Sequence, residues 1–599
     1  MVHRGPDDHG LWLAPDARVA MGHRRLSILD LSPLGRQPMF SRCGNYGIAY
    51  NGEVYNFREI RRELQTLGHS FRSESDTEVV LLSYMQWGER CVGKFVGMFS
   101  FVIWDSRKDG FFAARDRLGV KPLYYHAAGE RFMAASRLRP LLDIPECPRK
   151  VDPEAVRLYL EAGYVPAPWS ILKGVRKLRP GHTLWADRSG VEEKCYWDAG
   201  KIAIDYSLAD TPEDELADRL DCLLKESIQL RLISDVPLGA FLSGGIDSSL
   251  VVALMRDVSG RPPRTFTIGF HEKEFDESAP ARAVARSLKT EHHEQELRAR
   301  DLLPLLEHHS DHYDEPFADW SSVATMAVSK FARQHVTVAL SGDGGDELFA
   351  GYSYYSHLKK LVPLMCTPRG LRKAGGILLR QLGKHRTQLL AAALGSKDPD
   401  DAFVFMRSMT KDYGNDLLCE RGGLSLSELF RQRASGFAPL DPISRAARLD
   451  ACYYLADDIL QKLDVASMSV GLEAREPLLD HRLVEFAFSL PLQWKLHHGK
   501  GKRLLRRVLA RYLPVSLFDR PKRGFEVPIR DWFRGDLKDP LRDELSPKRI
   551  QKLPFIRAES VDHLIQLHLA GKRDTHPVLW ALLSFQRWYE RILGAGAVQ

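Results

Sequence analysis

Two short stretches, LSGGIDSS (242–249) and LSGDGGDELFAGY (340–352), constrain this chain more than any other feature. Each follows a short apolar run, DVPLGAFL (235–242) and VTVAL (336–340), and each opens a helical pattern, the first over 248–257. Small residues between a strand and a helix let backbone N–H groups approach an anion closely, and the helix N-terminus adds its dipole. A third apolar run, TFTIGF (265–270), lies between them. This alternation, from about residue 205 onward, predicts a mostly parallel sheet covered by helices. In such sheets, ligands bind at the carboxyl ends of the strands. Neither loop is a Walker A motif, because the spacing and the lysine are missing. They carry acids instead: Asp247, Asp343 and Asp346. A carboxylate beside a phosphate is repelled unless a cation lies between them, so Asp247 points to Mg²⁺. A plain glycine turn, or acids favoured by a helix dipole, accounts for either loop alone. Both together favour a site.

The first 200 residues have a different texture. YGIAYNGEVYN (46–56), GMFSFVIWD (97–105) and GFFAARD (110–116) read as strands. FREIRRELQTLG (57–68), with apolar residues at 57, 60, 64 and 67, and SDTEVVLLSYMQWG (75–88) read as helices, the second with Ser75 and Glu78 in capping-box spacing. The opening HRGPDDHG holds a Gly-Pro-Asp turn. A chain of 599 residues exceeds one hydrophobic core. No run has the length and apolarity of a membrane span, and no signal peptide is seen. The net charge of +7 is too mild to imply nucleic acid. Eight scattered cysteines, without a C-x-x-C pair, predict reduced thiols in a cytoplasmic protein and no zinc.

SGGIDSS resembles the pyrophosphate loop of ATP pyrophosphatases. Taken with TFTIGF, SGDGGDELFAGY, QKLDVASMSVGLEAREPLLD (461–480) and RPKRGFEVP (520–528), the chain resembles the glutamine-dependent asparagine synthetases. HRGPDDHG, GHRRLSILDLS, YNGEVYN, SDTEVVL and ARDRLGVKPLYY resemble that family's glutaminase domain. The resemblance covers residues 3 to about 535. It implies two domains: an Ntn-hydrolase-like αββα sandwich (1–200, α+β), then an ATP-pyrophosphatase-type α/β domain with a parallel sheet (205–540), followed by a helical extension (541–599). It further implies that aspartate is adenylated by ATP to β-aspartyl-AMP, with release of pyrophosphate, and that ammonia then displaces AMP. By motif, Leu242, Ser243, Gly244, Gly245, Asp247, Ser248, Ile268, Ser341 and Gly342 would hold ATP. Asp247 and Asp346 would bind Mg²⁺. Asp343 and Lys462 would be catalytic, Asp343 being shorter than the glutamate common in the family. Glu473 and Arg475 would support that region. Arg25, Asn51, Gly52, Glu53 and Asp76 would bind glutamine, with Asn51 and Gly52 forming the oxyanion hole. Asn51-Gly52 is also the strongest hairpin-turn signal.

The family's glutaminase nucleophile is an N-terminal cysteine, and this chain opens Met-Val. The expectation is a natural start further upstream, or else ammonia as the only nitrogen donor. Partners implied are small molecules (aspartate, with glutamine or ammonia) and a second copy of the chain; neither nucleic acid nor a membrane is expected. Two other readings fit the same motifs: amidation of another carboxylate, such as a cell-surface sugar acid or a β-lactam-type substrate, and a catalytically dead scaffold.

Overall fold

The computed structural model describes residues 1–594 apart from 272–275, 277, 382–389, 392, 411–412, 420–422, 521–526 and 554. Most of the RPKRGFEVP motif therefore lies outside the described residues. The N-terminal domain opens with a hairpin, β1 (Asp8–Leu13) and β2 (Ala20–Arg25). Then come β3 (Met39–Phe40), β4 (Tyr46–Val54), β5 (Gly97–Asp105), β6 (Gly110–Arg115), β7 (Tyr124–Ala128), β8 (Arg131–Ala135), β9 (Val175–Lys177), β10 (His182–Asp187) and β11 (Gly190–Cys195). Six of these form an antiparallel sheet in the order β11-β10-β6-β5-β4-β3, and three form a second, β8-β7-β9.

The helices Phe57–Thr66 and Asp76–Trp87 cover one face of the larger sheet. Phe57, Ile60, Leu64, Val79 and Val80 bury themselves against Ile48, Phe99, Phe101 and Phe112. Four local expectations differ from the outcome. Leu67 is exposed, because the first helix stops at Thr66 and Leu67 is its cap. Ser75 caps the second helix at Thr77 N, but Glu78 reaches past it to the N–H groups of Arg72 and Ser73, so no reciprocal box forms. Asn51-Gly52 is not a turn: both residues lie within β4, opposite Ser100 and Phe99 of β5. Packing of the flanking apolar residues outweighs the local turn preference here. At the start of the chain the turn falls at residues 2–4, and Gly5 lies against the backbone of Arg24, where a Cβ would overlap it.

The second domain is built on five parallel strands, β12 (Leu238–Phe241), β13 (Arg264–Phe270), β14 (Glu291–Leu297), β15 (Val338–Leu340) and β16 (Glu473–Arg475), in the order β14-β13-β12-β15-β16. The chain leaves β12 toward β13 and β14, then returns to the other side of β12 through β15. The strand order therefore reverses at β12, and a crevice opens there at the carboxyl ends. The helix after β12 spans Ile246–Ser259. Helices Ala558–Leu569 and His576–Trp588 share one core with this sheet, Trp580 and Trp588 joining Phe266, Ile268 and Val323. All eight cysteines are free thiols. Among the described residues, no helix is long and apolar enough to cross a membrane.

Candidate active site

The loops after β12 and β15 meet in a cleft of about 950 Å³. Of the residues expected to hold a nucleotide, Leu242, Ser243, Gly245, Asp247, Ser248, Ile268, Ser341 and Gly342 line it. Gly244 does not. Its φ of +70° turns the loop, and it packs against Pro280 and Ala281, where a Cβ would clash with backbone. Within the loop, the Ser243 and Ser248 hydroxyls lie 3.0 Å apart, and Gly245 N donates to Ser243 Oγ at 3.3 Å. The second loop presses on the first: a Cβ on Gly342 would meet Ser248 N. Ile268 comes from β13 and is 2% exposed, so only an edge reaches the cleft.

Asp343 and Lys462 also face the cleft. Asp343 accepts a hydrogen bond from Ser341 Oγ. Lys462, on the helix Leu460–Met468, is mostly buried, its side chain 12% exposed, rather than solvated. Its Nζ donates to Asp319 Oδ2 at 2.9 Å and to Ser321 Oγ at 3.0 Å. Burial opposes its charge, but the surrounding acidic groups, Asp319 foremost with Tyr454, Asp343 and Asp458, together outweigh burial and raise the pKa. The helix continues directly from a π-helical segment, Asp450–Ile459, an irregularity often found beside functional residues. Next to Asp346, burial and the Asp346 charge push Glu347 up to about 7, and Tyr352 donates to it at 2.7 Å.

Asp247 and Asp346 converge on one cationic position, and the ammonium of Lys502 takes it up, bonded to Asp247 Oδ2 and at 2.8 Å to Asp346 Oδ1. Mg²⁺ commonly takes one or two carboxylates and completes its shell with phosphate and water oxygens, so this donor pair fits it. Among the described residues, no cluster of three or more His, Cys, Asp or Glu could hold a metal by itself. The sequence reading missed Lys502, Asp319, Ser321 and Arg520, which lines the cleft and donates to Ser243 O at 3.2 Å. Only Arg520 carried a sequence signal, as the first residue of RPKRGFEVP.

A second cavity, of about 820 Å³, gathers Arg25, Asn51, Gly52, Glu53 and Asp76. Arg25 donates to the carbonyls of Leu29, Asp30 and Ser32, which fixes its fork at the cavity wall. Asp76 accepts from Tyr50 OH at 2.7 Å and Val54 N at 2.9 Å, and burial pushes it up to about 6. Among the described residues, Asn51 Nδ2 is buried without a hydrogen-bond partner. Glu53, raised by burial and by Asp76, lies 3.5 Å from Arg475 of the second domain. Arg475 is wholly buried and donates to Glu473 at 2.8 Å and to the carbonyls of Arg231 and Ile233.

These features define a two-domain amidotransferase: an Ntn-type glutamine amidotransferase domain joined to an α/β domain with a parallel sheet. Residues 1–197 match the glutamine amidotransferase domain family, and residues 219–590 match the asparagine synthase family. The chain is 32% identical over 595 residues to asparagine synthetase (glutamine-hydrolyzing) 1 of Bacillus subtilis (strain 168), covering 98% of this chain and 92% of that relative. It is 31% identical to asparagine synthetase (glutamine-hydrolyzing) 3 of the same organism, covering 94% and 88%. It is 27% identical to amidase chry2 of Gibberella zeae, covering 93% and 88%. The chain belongs to the asparagine synthase family and is an enzyme of that type.

Proposed function

We propose that the chain amidates aspartate to asparagine at the expense of ATP. A carboxylate oxygen of aspartate attacks the α-phosphorus, the bond to the bridging oxygen of the β-phosphate breaks, and pyrophosphate leaves. Ammonia then attacks the acyl carbon of the adenylate, the C–O bond to AMP breaks, and a proton is lost. The observation that carries this reading is the meeting of two Ser-Gly loops at the reversal point of a parallel sheet, with Lys462 and Asp343 on the wall. Backbone N–H groups and hydroxyls of 242–248 and 341–342 supply donors for the phosphates. Lys462 stays charged beside Asp319 and neutralises charge on the transferring phosphoryl group. Mg²⁺ held by Asp247 and Asp346 would stabilise the departing pyrophosphate. In the second cavity, Arg25 and Asp76 would grip the α-carboxylate and α-ammonium of glutamine. Asn51 Nδ2, without a hydrogen-bond partner among the described residues, would with Gly52 N–H suit a developing oxyanion.

The test is pyrophosphate release from ATP and Mg²⁺ with ammonium as nitrogen donor, which reads the second domain alone, and with glutamine as a separate arm. Release that depends on aspartate, together with asparagine formation, is expected. Release that appears only with another carboxylate would move the acceptor elsewhere in the family, toward the amidase-like relatives. Folded protein that binds ATP and releases no pyrophosphate with any acceptor would leave only a scaffold.

A further inference from the structure

Lys502 belongs to none of the motifs that define the site, yet its position is strongly determined. It follows Gly499-Lys500-Gly501 and precedes the helix Arg503–Leu509. Its φ of +62° is left-handed, a region that non-glycine residues seldom enter. Its N–H donates to Phe349 O at 2.8 Å, which ties its backbone to the cap of the short helix Gly345–Leu348 that bears Asp346. Gly351 opens the path for its side chain: a Cβ there would overlap both Lys502 Cε and the Asp346 carboxylate. Gly501 lies against the Ala350 carbonyl in the same way. The ammonium at the end of this path is buried, with a side chain 8% exposed, and bridges both carboxylates. Burial opposes its charge, and Asp247 and Asp346 together overcome that.

We propose that Lys502 is the internal counter-ion of the metal site: without nucleotide it holds Asp247 and Asp346 together, and when Mg²⁺ and a nucleoside triphosphate bind it releases them and turns to the phosphate oxygens. Two carboxylates aimed at one point in a partly closed cleft repel each other unless a cation lies between them. A lysine suits a temporary occupant, since it is a compact charge on a flexible four-carbon stem. The exchange also keeps bare metal out of the site until phosphate oxygens arrive to complete the shell and to receive the displaced ammonium. The inference rests on reading the cleft as a Mg²⁺–nucleotide site.

The test is a titration of Mn²⁺ with no nucleotide present, following free Mn²⁺ by its electron paramagnetic resonance signal, in the wild-type chain, K502M and K502R. K502M is expected to bind one Mn²⁺ about tenfold tighter than wild type, and K502R, which keeps the charge, to resemble wild type. Mn²⁺ is further expected to raise the melting temperature of K502M more than that of wild type at the same concentration. Equal Mn²⁺ affinity in wild type and K502M would overturn the proposal. If K502M is recovered unfolded, the K502M/D346N double variant decides: a folded double variant supports repulsion between the carboxylates, whereas an unfolded one makes Lys502 a packing residue and overturns the proposal. None of these readouts requires turnover, so they can fail while aspartate-dependent pyrophosphate release succeeds, and the reverse.

Discussion

Lys462 shows how a single side chain in this cleft is made useful. A lysine on a helix is ordinarily solvated, and burial alone would drive it neutral. Here the Asp319 carboxylate at 2.9 Å and the Ser321 hydroxyl at 3.0 Å hold it charged and fix its ammonium on the cleft wall. K462M is therefore expected to lower kcat for pyrophosphate release by about 10²–10³, the usual loss when one preorganised charge is removed from a closed site. Asp319 acts through Lys462, so D319N should leave the KM for ATP near wild type and reduce kcat. It has a signature that a purely structural role would not produce. Asp319 raises the Lys462 pKa, so its removal lowers that pKa, and the alkaline limb of the pH–rate profile should move to lower pH. An unmoved limb would detach Asp319 from Lys462.

At the scale of elements, the sequence announces the loops better than the surfaces on which they rest. Ser243, Asp247, Ser341 and Asp346 were legible because small residues and acids at a strand-to-helix junction have a local physical meaning. Asp319, Ser321 and Lys502 were not, since each reaches the cleft only through tertiary packing of elements distant in the chain. Asn51-Gly52 shows the opposite error, a strong local turn signal overridden inside a nine-residue strand. Packing also decides the state of His309, which lies on the short helix His309–His312. Its ring stacks on Tyr313 at 4.4 Å between centroids, and Nε2 lies 2.8 Å from Ser322 Oγ on the neighbouring helix Ser321–Ala332. Burial pushes its pKa down from 6.5 to about 3. The native chain thus holds this imidazole neutral, and the unfolded chain takes up the proton first. Stability should fall as the pH drops from 6.5 toward 3, by at most about 1.4 kcal/mol per pH unit from this one group. Replacing His309 by Gln removes that slope. Melting curves of both chains between pH 7 and pH 4 measure it, and parallel curves would place the proton uptake elsewhere.

For the whole molecule, the domains meet across buried ions as well as shared apolar cores, such as Met98, Leu118 and Val120 with Leu478 and Leu479. Asp464 lies on the helix that carries Lys462, two residues further along. Its carboxylate meets Arg4 at 2.8 Å and Lys121 at 3.1 Å, both from the N-terminal domain, and all three side chains are at most 5% exposed. Nearby, Arg137 of the N-terminal domain pairs with Asp314, and Lys177 with Glu315 at 2.6 Å. Such pairs add little net stability while intact, because desolvation offsets attraction, but removing one partner strands the other charge in a medium that cannot solvate it. Asp464 is the severe case, since its loss strands two cations. D464N keeps the shape and removes the charge, so it should cost about 3–5 kcal/mol in urea unfolding of the full chain. The same substitution should change the response to acid. Burial would raise the Asp464 pKa, yet Arg4 and Lys121 hold it down from 3.8 to about 2. Its contribution is therefore complete above pH 3.8 and lost as the pH falls through 2, so wild type should lose its advantage over D464N across that window. Because Asp464 and Lys462 share one helix, loosening the domain contact should also lower the proposed pyrophosphate release with ammonium as donor, where no glutamine is involved. A D464N chain with wild-type stability and turnover would show that the two domains are joined by other contacts.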